Sequence, residues 1–221
     1  MKKITIEEVK KHPAVRAYIR KANKNMCVLG FTEHGFRHTE LTAQTAYRIL
    51  TELGFSQREA ELAAIAGYLH DIGNVVARNH HYHTGAIIAM GLLRELGMDE
   101  NEVAEVVSAI GNHDEETGHP VSNISAAVIL ADKADVHRSR VSNQDFATFD
   151  IHDRVNYAVE QSTLEIDPEN RIITLRLRID TSIGRVLEYF EIFLLRMILC
   201  RRAADYLLAR FALIINEAQL L

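Results

Sequence analysis

Apolar residues recur at helical spacing over most of the first 135 positions, and each periodic block is bounded by cap or stop chemistry. Residues 6–23 read as a helix that opens on a Thr5 cap with Glu7 and Glu8 in its first turn, and Pro13 should break or restart it. The block 39–53 repeats Leu41, Thr45, Ile49 and Leu53 at near-helical spacing and stops at Gly54. The next helix starts from Ser56, with Glu59 as its capping-box partner. It runs through the small-residue stretch Ala63-Ala64-Ile65-Ala66-Gly67 into His70-Asp71 before Gly73 ends it. Further helices are expected over 83–96, 99–110 and 122–135, the first two closed by Gly97 and Gly111.

Beyond Asp132 the texture changes. Residues 162–166 and 171–179 alternate apolar and polar positions around Asp167-Pro168-Glu169-Asn170, which is a hairpin signal. A long helix over 184–217 then closes the chain, with Leu187, Phe190, Phe193, Leu194, Met197, Ile198, Leu208, Phe211 and Ile215 on a broad apolar surface. That surface packs on the preceding bundle or forms a homodimer face. The expected class is mostly α: a helical bundle, a small C-terminal β-hairpin and a long terminal helix. The expected division is an N-terminal helical segment over 1–30, a central domain over 31–142 and a C-terminal part over 143–221.

Composition narrows the function. A chain of 221 residues with 48% hydrophobic content buries a full core. A net charge of −5 argues against nonspecific binding to nucleic acid or to an anionic membrane, since both need a basic footprint. The apolar stretch 183–221 is interrupted by charges from Arg185 to Arg210, so no run approaches the ~20 uncharged residues of a membrane span. Cys27 and Cys200 stand far apart with no Cys-x-x-Cys motif, and no hydrophobic signal region follows Met1-Lys2-Lys3; a cytoplasmic protein with reduced thiols is the expectation.

The candidate chemistry lies in a sparse series of histidines and aspartates, His38, His70-Asp71, His83, His113 and Asp132, each beside or inside an apolar helical segment. Imidazoles and carboxylates are metal ligands, and burying such a set is costly unless a cation compensates it. His70-Asp71 ends a buried small-residue helix, where an unpaired charge would be strongly unfavourable.

With Arg37-His38-Thr39 leading a helix, His70-Asp71-Ile72-Gly73, and Ala131-Asp132-Lys133-Ala134-Asp135 ending an apolar helix, residues 35–140 resemble the HD-domain metal-dependent phosphohydrolases. The resemblance implies an HD helical bundle in which His38, His70, Asp71 and Asp132 bind one metal. His83-Thr84-Gly85-Ala86 and Gly111-Asn112-His113-Asp114-Glu115 are similar to the added ligand motifs of the binuclear subgroup. That subgroup includes the HD-GYP cyclic-di-GMP phosphodiesterases and a diadenosine tetraphosphate hydrolase branch. The implied cofactor is two divalent metals bridged by Asp71, Fe or Mn first, with Zn, Mg, Ni or Co as other candidates, and with His83 and His113 on the second metal.

His80 and His81 are the weaker candidates beside His83, and His34 is read as outside the site. Thr117-Gly118-His119-Pro120 stands where a Gly-Tyr-Pro is expected, which argues against cyclic-di-GMP; His119 is a candidate substitute ligand or substrate contact. Asn74 replaces a lysine found in many members. Lys133, Arg138 and Arg140 are candidate phosphate contacts, and a nearby histidine or Asp114 is a candidate proton donor to the leaving oxygen. The expected reaction is attack of a metal-activated water on a phosphate ester or anhydride of a small phosphorylated substrate, a nucleotide or dinucleotide. Two other readings stay open, a diiron oxygenase on the same ligand set and a noncatalytic nucleotide sensor.

Overall fold

The computed structural model describes residues 3–220. Two short helices open the chain, α1 (Ile6–Lys11) and α2 (Pro13–Val28). Thr5 and Glu8 form a capping box on α1, and Pro13 occupies the start of α2, where its missing N–H costs nothing. The break at Pro13 is therefore real, and α2 runs on to Val28.

Five helices build the bundle: α3 (Phe36–Glu52), α4 (Gln57–Leu69), α5 (His81–Glu95), α6 (Glu100–Gly111) and α7 (Asn123–Lys133). Ser56, Asp99 and Ser122 cap α4, α6 and α7 through their side-chain oxygens. Every residue of α7 from Ile124 to Lys133 is buried, because α3, α4, α6 and the later helix Val186–Tyr206 all pack on it. The small residues of α4 let it approach α3 closely; a Cβ on Gly67 would lie 3.2 Å from the α3 backbone at Thr42 and Ala43.

The rest of the chain adds α8 (Ile151–Ala158), β1 (Val159–Asp167), β2 (Ile172–Ile179), α9 (Val186–Tyr206), β3 (Arg210–Ile215) and β4 (Ala218–Gln219). β1 and β2 form the expected antiparallel hairpin across Asp167–Asn170. The mostly α class holds, but the C-terminal part differs from the expectation. No single helix covers 184–217. α9 ends at Tyr206, and residues 210–215 form a strand that pairs in parallel with β2, giving a four-stranded sheet in the order β1-β2-β3-β4. Arg171, from the hairpin turn, donates to the carbonyls of Leu207 and Leu208, satisfying the end of α9 from outside the helix. Leu208 takes a left-handed φ of 56° and turns the chain into β3. Phe211 and Ile215 are thus inward-facing strand residues.

Candidate metal centre

The ends of five bundle helices converge on one buried cluster. His38 lies in the first turn of α3, His70 caps the C-terminus of α4 with Asp71 next to it, and Asp132 lies in the last turn of α7. His81 is the first residue of α5, and His113 follows the end of α6. Gly73 permits the approach of α5: a Cβ there would fall 1.9 Å from the His81 carbonyl oxygen.

Two ligand sets meet at Asp71. In the first, His38 Nε2 lies 3.2 Å from His70 Nε2, 3.5 Å from Asp71 Oδ2 and 3.3 Å from Asp132 Oδ1; His70 Nε2 lies 3.2 Å from the same Asp71 oxygen. In the second, Asp71 Oδ1 lies 3.2 Å from His81 Nε2 and 4.0 Å from His113 Nε2, with the two ring nitrogens 3.2 Å apart. These separations match donors ~2.0–2.2 Å from a common cation.

The tautomers make the stronger argument. His70 Nδ1 donates to Gly67 O at 2.7 Å, His113 Nδ1 to Ile110 O at 2.7 Å, His81 Nδ1 to Arg78 O at 3.1 Å, and His38 Nδ1 to the Asp135 carboxylate at 2.7 Å. A carbonyl oxygen carries no proton and the Asp135 carboxylate is ionised, so each Nδ1 carries one, and in the neutral rings each Nε2 turns a lone pair inward. Lone pairs facing each other at 3.2 Å repel. A divalent cation between them removes the repulsion and balances the carboxylates, so the donor set fits a metal, and the outer hydrogen bonds fix each ring as a ligand.

Without a cation, a proton on His70 supplies the missing positive charge. Burial opposes charge on His70, yet the Asp71 and Asp132 carboxylates pull its pKa up to about 10. Burial opposes ionisation of Asp71 and Asp132 too, but His70 holds Asp71, and Lys133 and His70 hold Asp132, well below the usual carboxylate range. Burial, together with His70 and His81, drives His113 well below its ordinary value and keeps it neutral.

Of the sequence candidates, His38, His70, Asp71, His113 and Asp132 come together here. His83 does not. Helix α5 starts two residues earlier than its periodicity suggested, so His81 points inward and His83 is exposed, stacked on His80. His119 is exposed, and its ring engages the Gly118 carbonyl. Lys133 is buried in ion pairs with Asp132 at 2.6 Å and Glu115 at 2.7 Å, which leaves it a charge balance for a ligand rather than a free phosphate contact. Arg140 is spent on backbone, donating to Asp135 O and Glu33 O. Arg138 turns to Glu160 and the Tyr157 ring, away from the cluster. Asp114 stays at the mouth, in a cleft it shares with His81, and accepts from the Glu116 N–H.

Several site residues carried no sequence signal beyond proximity to a motif. Asp135 orients His38 and is itself held by Arg37 at 2.8 Å. Asn74 donates to Asp71 Oδ1 at 3.0 Å, fixing the carboxylate that both ligand sets share. His34, read as outside, is buried with Nε2 3.9 Å from Asp71 Oδ2. Its Nδ1 donates to Thr32 O, and burial keeps it neutral despite Asp71. Among the described residues no helix is long and apolar enough to cross a membrane.

Comparison with known proteins places this geometry in context. Over 162 residues, 62% of this chain, the sequence is 29% identical to an uncharacterised protein of Methanocaldococcus jannaschii. Over 102 residues, 46% of the chain, it is 33% identical to ribonuclease Y of Lawsonia intracellularis. The aligned regions span 61% and 18% of those relatives' own lengths. The crystal structure of a predicted HD superfamily hydrolase from an uncultured Thermotogales bacterium aligns with a TM-score of 0.45 and 28% identity, covering 56% of this chain and 67% of that one. Residues 35–139, which carry all six residues of the cluster, match the HD domain.

Proposed function

We propose that this protein is a metal-dependent phosphohydrolase that cleaves a phosphate ester or anhydride of a nucleotide or dinucleotide, with two divalent cations, Fe or Mn, shared through Asp71. The observation that carries the reading is the paired, inward-facing Nε2 atoms on either side of one carboxylate. The match to the HD domain and the likeness to a segment of a ribonuclease support phosphoryl chemistry. His38, His70, Asp71 and Asp132 would hold one cation, and Asp71, His81 and His113 the other. When bound, such cations supply Lewis acidity and a water acidic enough to attack at neutral pH.

The chain's own residues supply the rest. Asp135 and Asn74 hold His38 and Asp71 in register, which fixes their orientation ahead of the reaction. His34 is neutral with Nε2 facing the cluster, placed to accept a proton from the attacking water. Asp114, at the mouth, keeps the role of proton donor to the leaving oxygen.

The test is metal content by elemental mass spectrometry on protein purified without chelator, paired with product release from a panel of nucleotides and dinucleoside polyphosphates. Two equivalents, with both metal and turnover lost in Asp71→Ala, is the expected result. Metal-loaded protein that consumes oxygen, or that turns over none of the panel, overturns the reading.

A further inference from the structure

We propose that the cleft between the Leu29–His34 loop, α8 and α9 is a substrate pocket for a phosphomonoester carrying one nucleoside-sized group with hydroxyl or amino donors. In this pocket Arg78 and Arg196 take the phosphate, and Asp150 and Asp153 take the donors. This rests on the phosphohydrolase reading, and it reaches beyond the HD domain, because Asp150, Asp153 and Arg196 all lie outside residues 35–139.

The cleft holds about 310 Å³ and meets the metal centre through His34 and Glu115. Its two ends differ in charge. At the inner end Arg78 Nη1 lies 3.5 Å from the ligand nitrogen of His81, and the guanidinium is steadied over the Phe31 ring at 5.4 Å. Arg196 sits 4.5 Å over the Phe193 ring, its Nε on Glu115 at 3.2 Å. Glu115 in turn pairs with Lys133, which pairs with Asp132. Glu115 is therefore already balanced, and both guanidiniums keep terminal N–H groups for an anion. Two cations steadied on aromatic faces beside a metal cluster suit a phosphoryl group.

At the outer end the cleft presents acceptors. Asp150 Oδ1 accepts the Asp153 N–H at the start of α8, and Asp153 Oδ2 accepts from Asn143 at 3.1 Å. The second oxygen of each carboxylate has no hydrogen bond within the described residues. Carboxylates in that position repel a second phosphate and select O–H or N–H donors. The volume lies at the small end of the ~300–1,000 Å³ range of ligand clefts, enough for one nucleoside-sized group.

The experiment is calorimetric titration of metal-loaded protein with adenosine 5′-monophosphate, ribose 5-phosphate and inorganic phosphate, run on wild type, Arg196→Gln, Arg78→Gln, Asp150→Asn and Asp153→Asn. Thermal melts and metal content establish that each variant is folded and loaded, and Asp150→Asn serves if Asp153→Asn does not fold. The arginine variants should weaken all three ligands at least tenfold. The aspartate variants should weaken the two sugar phosphates at least tenfold and leave inorganic phosphate unchanged. Equal binding of the sugar phosphates by all variants, or binding of none by wild type, overturns the pocket. If binding follows the expected pattern without turnover, the hydrolase reading fails and the pocket stands. If turnover occurs with KM unchanged in the variants, the reverse holds.

Discussion

At the scale of single residues, the cluster is defined by which nitrogen of each histidine faces inward. His81→Ala should remove one cation from the centre and leave the other, whereas His83→Ala should change metal content little, since its ring is exposed; metal-to-protein ratios of the two variants decide this. The titration behaviour gives a second expectation. In chelator-treated protein the raised pKa of His70, from 6.5 to about 10, contributes stability that is fully present below pH 6.5 and is lost as pH rises through about 10. Asp71 has the opposite sign: its lowered pKa contributes stability present above its ordinary 3.8 and lost at lower pH. His34 and His113, whose pKa values are lowered, contribute stability present above the ordinary 6.5 and lost as pH falls below it, so thermal midpoints of stripped protein should be highest near pH 6.5 and fall towards pH 10, and a midpoint that rises over that upper interval would contradict the assignment. Five of the six residues of the cluster were legible in the sequence, because each sits at a helix end marked by a motif. His81 was not, because three histidines within four positions cannot be ranked without the phase of the helix, and that phase is set by His80 in a left-handed conformation with φ 59°.

At the scale of elements, the bundle helices were readable from caps and stops, and the second half of the apolar C-terminus was not. A run such as Phe211-Ala212-Leu213-Ile214-Ile215 is apolar enough for either a buried helix or a buried strand, and periodicity cannot choose. The deciding interactions are tertiary: Arg171 closes α9 from the hairpin turn, and β2 offers an edge for parallel pairing. No glycine marks the break, since Leu208 itself takes the left-handed turn while 79% exposed. Leu208→Gly tests this directly. In the observed turn it should stabilise by about 1 kcal/mol by relieving the backbone, whereas in a continuous helix it would cost about 1 kcal/mol. The shift of the thermal midpoint gives the sign.

At the scale of the whole molecule, the metal-binding helices and the C-terminal sheet share one core. α9 links β2 to β3 and also packs on α7, the helix that ends in Asp132. The full chain should therefore melt in a single calorimetric transition whose calorimetric and van't Hoff enthalpies agree; two resolved transitions would show a separable domain. The arrangement of helix ends around the cluster also bears on order. Backbone dipoles place partial negative charge at helix C-termini and partial positive charge at N-termini. The set formed by His38, His70, Asp71 and Asp132 draws on two C-termini, of α4 and α7, and one N-terminus, and it has a carboxylate of its own. The set at His81 and His113 balances one N-terminus against one C-terminus and shares Asp71. Under the two-cation proposal the positions would be of unequal depth: the first cation to arrive should settle between α3, α4 and α7, and the one beside α5 should load last and be the first that a chelator removes.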